Sequence, residues 1–276
     1  MTGGMTDWPE ITCQRGHDHH ETREFTVVFS GPTAYRDLPS IPRRFSDTFE
    51  MEVWDTEKYP VDGGPWCPAH DAVSETLLSL GVWDPAETIL MLEAFRYCDT
   101  FIDIGAQLGW YSILALRSQM NVVAFEADLI VCDVLERNMA RHAEFLGHYS
   151  VQAERVGPHS SIPFPETDDR LVVKIDIEGA EADAVKMLEP LMPQIDFMLI
   201  EISPCFNDTY PDLVIDLIRR GFNAYLVPQK SIPPARLEIL PDDLVDWDIG
   251  SNFDDIKKLV ASWDQRNLLF VRDGAW

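Results

Sequence analysis

From residue 100 onward the chain alternates between short apolar runs and longer stretches with helical spacing. The runs "TFIDIG" (100–105), "NVVAFE" (121–126), "LVVKID" (171–176), "FMLIEI" (197–202) and "AYLV" (224–227) read as strands. "YSVQAERV" (149–156) fills the place of another. Between them, "WYSILALRSQ" (110–119), "LIVCDVLERNMARHAEFLG" (129–147), "AEADAVKMLE" (180–189) and "PDLVIDLIRRG" (211–221) read as helices. Strands that are apolar throughout, separated by helices, are what a mostly parallel sheet covered on both faces requires. The expected fold is therefore doubly wound α/β. A last run, "NLLFVRD" (267–273), follows the helical "FDDIKKLVASW" (253–263) and is expected to close the sheet edge.

The first 70 residues follow no such rhythm. They carry scattered prolines, the His-rich "HDHH" and a few strand-like runs such as "FTVVFS" (25–30), and helical spacing begins only with "DAVSETLLSLGVW" (71–83). We expect a mobile tail over 1–20, a small irregular cap over 21–70, and the α/β domain over 71–276. The cap aromatics Tyr35, Phe45, Trp54 and Trp66 suit either core packing or a cover for a substrate.

Charge narrows the choice of partners. Of 276 residues, 22 are Lys or Arg and 47 are Asp or Glu, a formal charge of −25. Such a field repels phosphate backbones and anionic headgroups, so neither nucleic acid nor a membrane surface is an expected partner. The five cysteines are widely spaced and include no C-x-x-C, which fits a reducing compartment. The start "MTGGMTDWPE" lacks a cationic segment followed by an apolar one, and a cytoplasmic location is expected. "CQRGHDHH" (13–20) and "CPAH" (67–70) hold cysteines and histidines, but without the ligand spacing of a zinc site. His142, His148 and His159 are expected on helix and loop surfaces.

The first regular strand ends in "DIGAQLGW", where Gly105 permits a sharp turn and Gly109 a close approach of backbone to ligand. A helix then begins, and its first N–H groups can face an anion. Glu126 closes the next strand 21 residues after Gly105, where a carboxylate can accept hydrogen bonds from a ribose diol. The spacing suits a dinucleotide or S-adenosylmethionine. G-x-x-x-G in place of G-x-G-x-x-G favours the latter. So does Asp103, which would repel a pyrophosphate but could face an ammonium group.

"FIDIGAQLGWYS", "VVAFEAD", "LVVKIDIEGAEADAV" and "FMLIEI" stand in an order and spacing that resemble the FkbM family of S-adenosylmethionine-dependent methyltransferases, over about residues 75–272. The resemblance implies a Rossmann-like class I methyltransferase sheet of seven strands with an antiparallel last-strand insertion. It also implies methyl transfer to oxygen, with sugars or other small natural products as acceptors. By position it makes Asp103, Gly105, Gly109 and Glu126 cofactor contacts. Gln107 stands where the family usually has asparagine and keeps the amide. "FEAD" lacks the family's common proline after the glutamate.

"VVKIDIEGAEADAV" (172–185) places one lysine among apolar residues and four carboxylates just beyond. Period-two alternation puts Val172, Lys174 and Asp176 on one side of a strand and Leu171, Val173 and Ile175 on the other. A lysine so deep needs a carboxylate partner. Asp176 should emerge beside the methyl donor, while Glu181 and Asp183 fall in the first turn of a helix, where negative charge is favoured. An alcohol is a poor nucleophile until its proton is leaving. Asp176 is thus the candidate to orient or deprotonate an acceptor hydroxyl, with Glu201 its neighbour and Lys174 its partner. Converging carboxylates could also hold Mg²⁺. The rival readings are a non-catalytic module that keeps the fold and a nicotinamide-dependent dehydrogenase.

Overall fold

A computed structural model describes residues 22–28, 48–54, 72–80, 82–144, 147–163, 168–227, 253–263 and 265–275. The cysteine- and histidine-bearing segments 13–20 and 67–70, and Tyr35, Phe45 and Trp66, lie outside them.

The elements run β1 (Thr22–Val28), β2 (Thr48–Trp54), α1 (Ala72–Leu80), α2 (Pro85–Ala94), β3 (Thr100–Ile104), α3 (Trp110–Arg117), β4 (Asn121–Glu126), α4 (Leu129–Arg141), β5 (Tyr149–Ala153), β6 (Leu171–Ile175), α5 (Glu181–Met187), β7 (Ile195–Ile202), α6 (Tyr210–Arg219), β8 (Phe222–Leu226), α7 (Phe253–Val260) and β9 (Arg266–Arg272). β1 and β2 form an antiparallel ribbon. The other seven strands form one sheet in the order β5-β4-β3-β6-β7-β9-β8. All neighbours are parallel except β9, which runs antiparallel to both β7 and β8. This is a doubly wound, mostly parallel seven-stranded sheet with one antiparallel strand inserted near its end. β9 does not close the edge, as its position in the sequence suggests; it wedges between β7 and β8, and β8 is the edge.

Alternation along the strands builds two cores. Phe101, Val122, Ala124, Val172, Phe197, Leu199, Leu269 and Val271 point to one face, where α2, α3, the buried side of α4 and Met51 and Val53 of β2 cover them. Ile102, Ile104, Val123, Phe125, Leu171, Val173, Ile175, Met198 and Ile200 point to the other, under α5, α6 and α7. Period two thus assigns the faces of β6 as expected. Trp54 is 2% exposed and belongs to the first core.

Helix ends depart from the periodic pattern. α4 stops at Arg141, short of 147, and the ring of His142 beyond it is buried. Its Nε2 lies 2.9 Å from the Glu50 carbonyl and its Nδ1 3.5 Å from Arg117 Nη1. His142 is therefore a packed residue, where the sequence suggests a surface one; His159 is exposed. α5 gives way at Glu189–Gln194 to a 3₁₀ turn, because Pro190 and Pro193 withhold the N–H groups an α-helix needs. α2 has no counterpart among the expected helices. No helix among the described residues is long and apolar enough to cross a membrane.

Candidate active site

Strand order reverses beside β3, whose neighbours β4 and β6 lead to opposite ends of the sheet. Ligands of open α/β sheets lie beyond the carboxyl ends of the strands at such a point. Two sets of candidate residues gather there, one around the β3–α3 turn and one around Lys174.

The turn begins where Gly105 and Ala106 both donate to the Phe125 carbonyl, at 3.0 and 2.9 Å. Gly105 has φ +85°, and a Cβ there would lie 1.9 Å from the Asp176 carbonyl oxygen, so only glycine fits. Gln107 is left-handed at φ 51°, a conformation that costs a non-glycine residue about 1–2 kcal/mol. Its N–H donates to Glu126 Oε2 at 3.0 Å, and its own Oε1 accepts from the Leu108 N–H at 2.7 Å. Gly109, at φ +92°, crowds Leu135 of α4, whose Cδ1 would be 2.6 Å from an added Cβ. Its positive φ and this close packing both call for glycine here.

Glu126 is half-buried and accepts from Gln107 and, through Oε1, from the Asp128 N–H at 2.9 Å. Burial raises its pKa, and these backbone N–H groups oppose the rise. Asp128 caps α4, its Oδ1 accepting from Ile130 and Val131.

Asp103 is the most conspicuous residue of the turn. It is 1% exposed; its Oδ2 accepts from Ser112 Oγ at 2.6 Å, and its Oδ1 is buried without a hydrogen-bond partner. Burial pushes its pKa up to about 6 against the pull of Lys174. A buried, unmatched carboxylate oxygen is costly, and a bound donor group would satisfy it.

Lys174 sits opposite Asp103 in the β3–β6 register, on the first-core face. Its side chain is 6% exposed, and its Nζ meets Asp176 Oδ2 at 2.8 Å and lies 5.2 Å from the Tyr111 ring centroid. Burial works against the ammonium, but Asp176, Asp103 and Glu87 together outweigh it and hold its pKa above the usual lysine value. The Asp176 side chain keeps 32% exposure, so one carboxylate is both charge-paired and open to solvent. Glu201, on the same face at the end of β7, accepts from Ser203 Oγ at 3.1 Å. Burial, then the charge of Asp176, raises its pKa to about 7.

Sequence reasoning missed the contribution of α2. Glu87, on its first turn, is 6% exposed and accepts from Tyr111 Oη at 3.2 Å and from Asn267 Nδ2. Burial and then the charge of Asp84 raise its pKa to about 8. Asp84 occupies the N-cap position but does not cap; it is left-handed (φ 35°, ψ 75°) immediately before Pro85, where such a backbone is disfavoured. Burial raises its pKa to about 6, with Lys174 lowering and Asp176 raising it. The Asp-Pro pair is a helix-start signal that could have revealed α2.

The loop after β6 is held from below. Glu181 is fully buried and accepts from the N–H groups of Ile177 (3.2 Å) and Gly179 (3.0 Å) and from Tyr210 Oη. It stands in the first turn of α5 as expected, yet its carboxylate is spent on the loop. Phe206, 50% exposed, stands over this loop: an added Cβ on Gly179 would lie 3.2 Å from its Cβ. Asn207 Nδ2 donates to the Gly179 carbonyl at 3.2 Å. Among the described residues no group of three or more His, Cys, Asp or Glu side chains is placed to hold a metal ion.

No family model and no curated protein matches the chain. Among solved structures it is similar to a TehB-like SAM-dependent methyltransferase from Corynebacterium glutamicum, at 14% identity over 72% of this chain and 94% of that one, TM-score 0.45. It is also similar to precorrin-6y C5,15-methyltransferase from Geobacter metallireducens, at 13% over 67% and 86%, TM-score 0.40. An rRNA methylase from Streptococcus thermophilus aligns at 10% over 65% and 91%, TM-score 0.41. These likenesses are too remote to bear on chemistry.

Proposed function

We propose that the chain is an S-adenosylmethionine-dependent methyltransferase that methylates a hydroxyl oxygen of a small molecule or glycan, as the FkbM resemblance implies. The observation that carries this reading is the buried, unpartnered Oδ1 of Asp103 beside the Gly105 turn. It suits the ammonium group of the methyl donor and is hostile to the pyrophosphate of a nicotinamide cofactor. Glu126 would take the ribose diol, and the 105–109 turn would hold the rest. Bound S-adenosylmethionine supplies a methyl group on a sulfonium, open to in-line attack by oxygen.

The chain's own residues do the remainder. Asp176 accepts the hydrogen bond of the acceptor hydroxyl and draws its proton as the oxygen attacks. Lys174 pairs with that carboxylate and fixes it in place. Glu201 stands ready to accept a hydrogen bond from a second hydroxyl. Phe206, which stands over the loop at Gly179, offers the acceptor an apolar surface. The formal charge of −25 disfavours a nucleic-acid acceptor. A purely structural module would gain nothing from burying Lys174 among carboxylates and leaving an oxygen of Asp103 unmatched.

The test is incubation of the protein with methyl-labelled cofactor and an extract of hydroxylated metabolites and glycans, with products read by mass spectrometry. Label should appear on oxygen, and Asp176→Asn should reduce the rate by about 10²–10⁴ while leaving cofactor binding in place. Full turnover by Asp176→Asn would reduce that carboxylate to a counter-ion for Lys174.

A further inference from the structure

α4 carries a polar residue on its buried stripe. Cys132, Val134, Leu135 and Met139 pack inward, and among them Asn138 is fully buried. Its amide makes three hydrogen bonds, all to backbone of distant segments. Oδ1 accepts from the Glu52 N–H at 2.5 Å; Nδ2 donates to the Glu52 carbonyl at 3.0 Å and to the Leu108 carbonyl at 2.9 Å. Glu52 belongs to β2, and Leu108 lies in the turn between Gly105 and Gly109.

One side chain thus joins the ribbon of β1 and β2 to the turn that follows β3. The turn needs such a hold. Gln107 and Gly109 on either side of Leu108 are both left-handed. The Leu108 N–H is taken by Gln107 Oε1 and the Gln107 N–H by Glu126, and Asn138 adds a hydrogen bond that reaches the turn from outside the β3–β4 edge. β2 is itself clamped to α4 independently of the amide. The Glu52 carboxylate meets Arg137 Nε at 2.9 Å and Arg141 Nη2 at 2.7 Å. Met51 and Val53 on either side of Glu52 are fully buried in the core that also holds Leu108 and Leu135.

We propose that Asn138 is a positioning residue for the methyl-donor site, locking the β3–α3 turn to strand β2, so that the β1–β2 ribbon is a working part of that site. The inference rests on the methyl-donor reading of the turn. It places a cofactor requirement in a segment that the FkbM resemblance, beginning near residue 75, does not reach. The donor's affinity depends on a turn whose shape two segments, 86 and 30 residues from Asn138, hold jointly.

The test is calorimetric titration of the full chain with S-adenosylhomocysteine well below the unfolding temperature, beside hydrogen exchange at the turn. Asn138→Ala should weaken binding about tenfold, the order expected when a buried hydrogen bond is lost from a site's support. Exchange at the Leu108 and Gly109 amides should quicken. The double variant Arg137→Ala with Arg141→Ala, which loosens β2 without touching the turn, should weaken binding in the same direction and decides the matter if Asn138→Ala does not fold. Unchanged affinity in folded variants, with only the melting temperature lowered, would reduce Asn138 to a packing residue and overturn the inference alone. Failure of the unsubstituted chain to bind would overturn the methyl-donor reading with it.

Discussion

At the scale of single residues the site is a contest between burial and charge. Lys174 keeps its charge because neighbouring carboxylates, Asp176 first and then Asp103, work against desolvation. Glu87 loses its own: burial lifts it from an ordinary 4.5 to about 8. The sign of the resulting pH dependence is fixed. Below about pH 4.5 the carboxyl is protonated whether the chain is folded or not. As pH rises towards 8 the unfolded chain ionises while the folded one keeps its proton, so stability falls across that window. Glu87→Gln removes this dependence. The melting temperature of the unsubstituted protein, relative to Glu87→Gln, should therefore drop between pH 5 and pH 8 and level off above. A constant difference over that range would show that Glu87 is ionised in the fold. The pairing of Lys174 with Asp176 was legible, because period two and the cost of a buried ammonium leave little choice. Asp84 and Glu87 were not, since "ETILMLEAF" is buried almost all round and shows no helical period. Asn138 was hidden for another reason: helical spacing sets it on the apolar stripe of α4, but its partners lie far away in the chain.

At the scale of elements, the parallel strands were legible because continuous apolar runs of five to eight residues have few other uses. Their order in the sheet was not, and the resemblance alone supplied the inserted antiparallel strand. Helix ends were the weakest reading, as with α4, which a buried His142 and the contacts of its ring bring to a close. The tightest joint between elements is Gly105, where β3 turns under the backbone of Asp176. That obstacle is a backbone carbonyl, which no rotamer change can move. Gly105→Ala should destabilise the protein by about 2–4 kcal/mol and abolish binding of S-adenosylhomocysteine, measured by denaturant unfolding and calorimetry. An unfolding midpoint equal to that of the unsubstituted chain would mean the turn is looser than its contacts imply.

At the scale of the whole molecule, the sheet brings to one edge what the sequence scatters over 118 positions from Asp84 to Glu201. β3 and β4 deliver Asp103 and Glu126, β6 and β7 deliver Asp176 and Glu201, and α2 leans in from above the first core. The division is chemical as well as spatial: one half offers Glu126 and a buried carboxylate with one unmatched oxygen, the other a paired carboxylate open to solvent. The central claim is that the first half holds a methyl donor. Calorimetric titration with S-adenosylhomocysteine, and in parallel with NAD, tests it most directly. One equivalent of S-adenosylhomocysteine should bind and raise the melting temperature, Glu126→Ala should weaken that binding about tenfold or more, and NAD should give no heat. Binding of NAD in its place, with S-adenosylhomocysteine silent, would contradict the account.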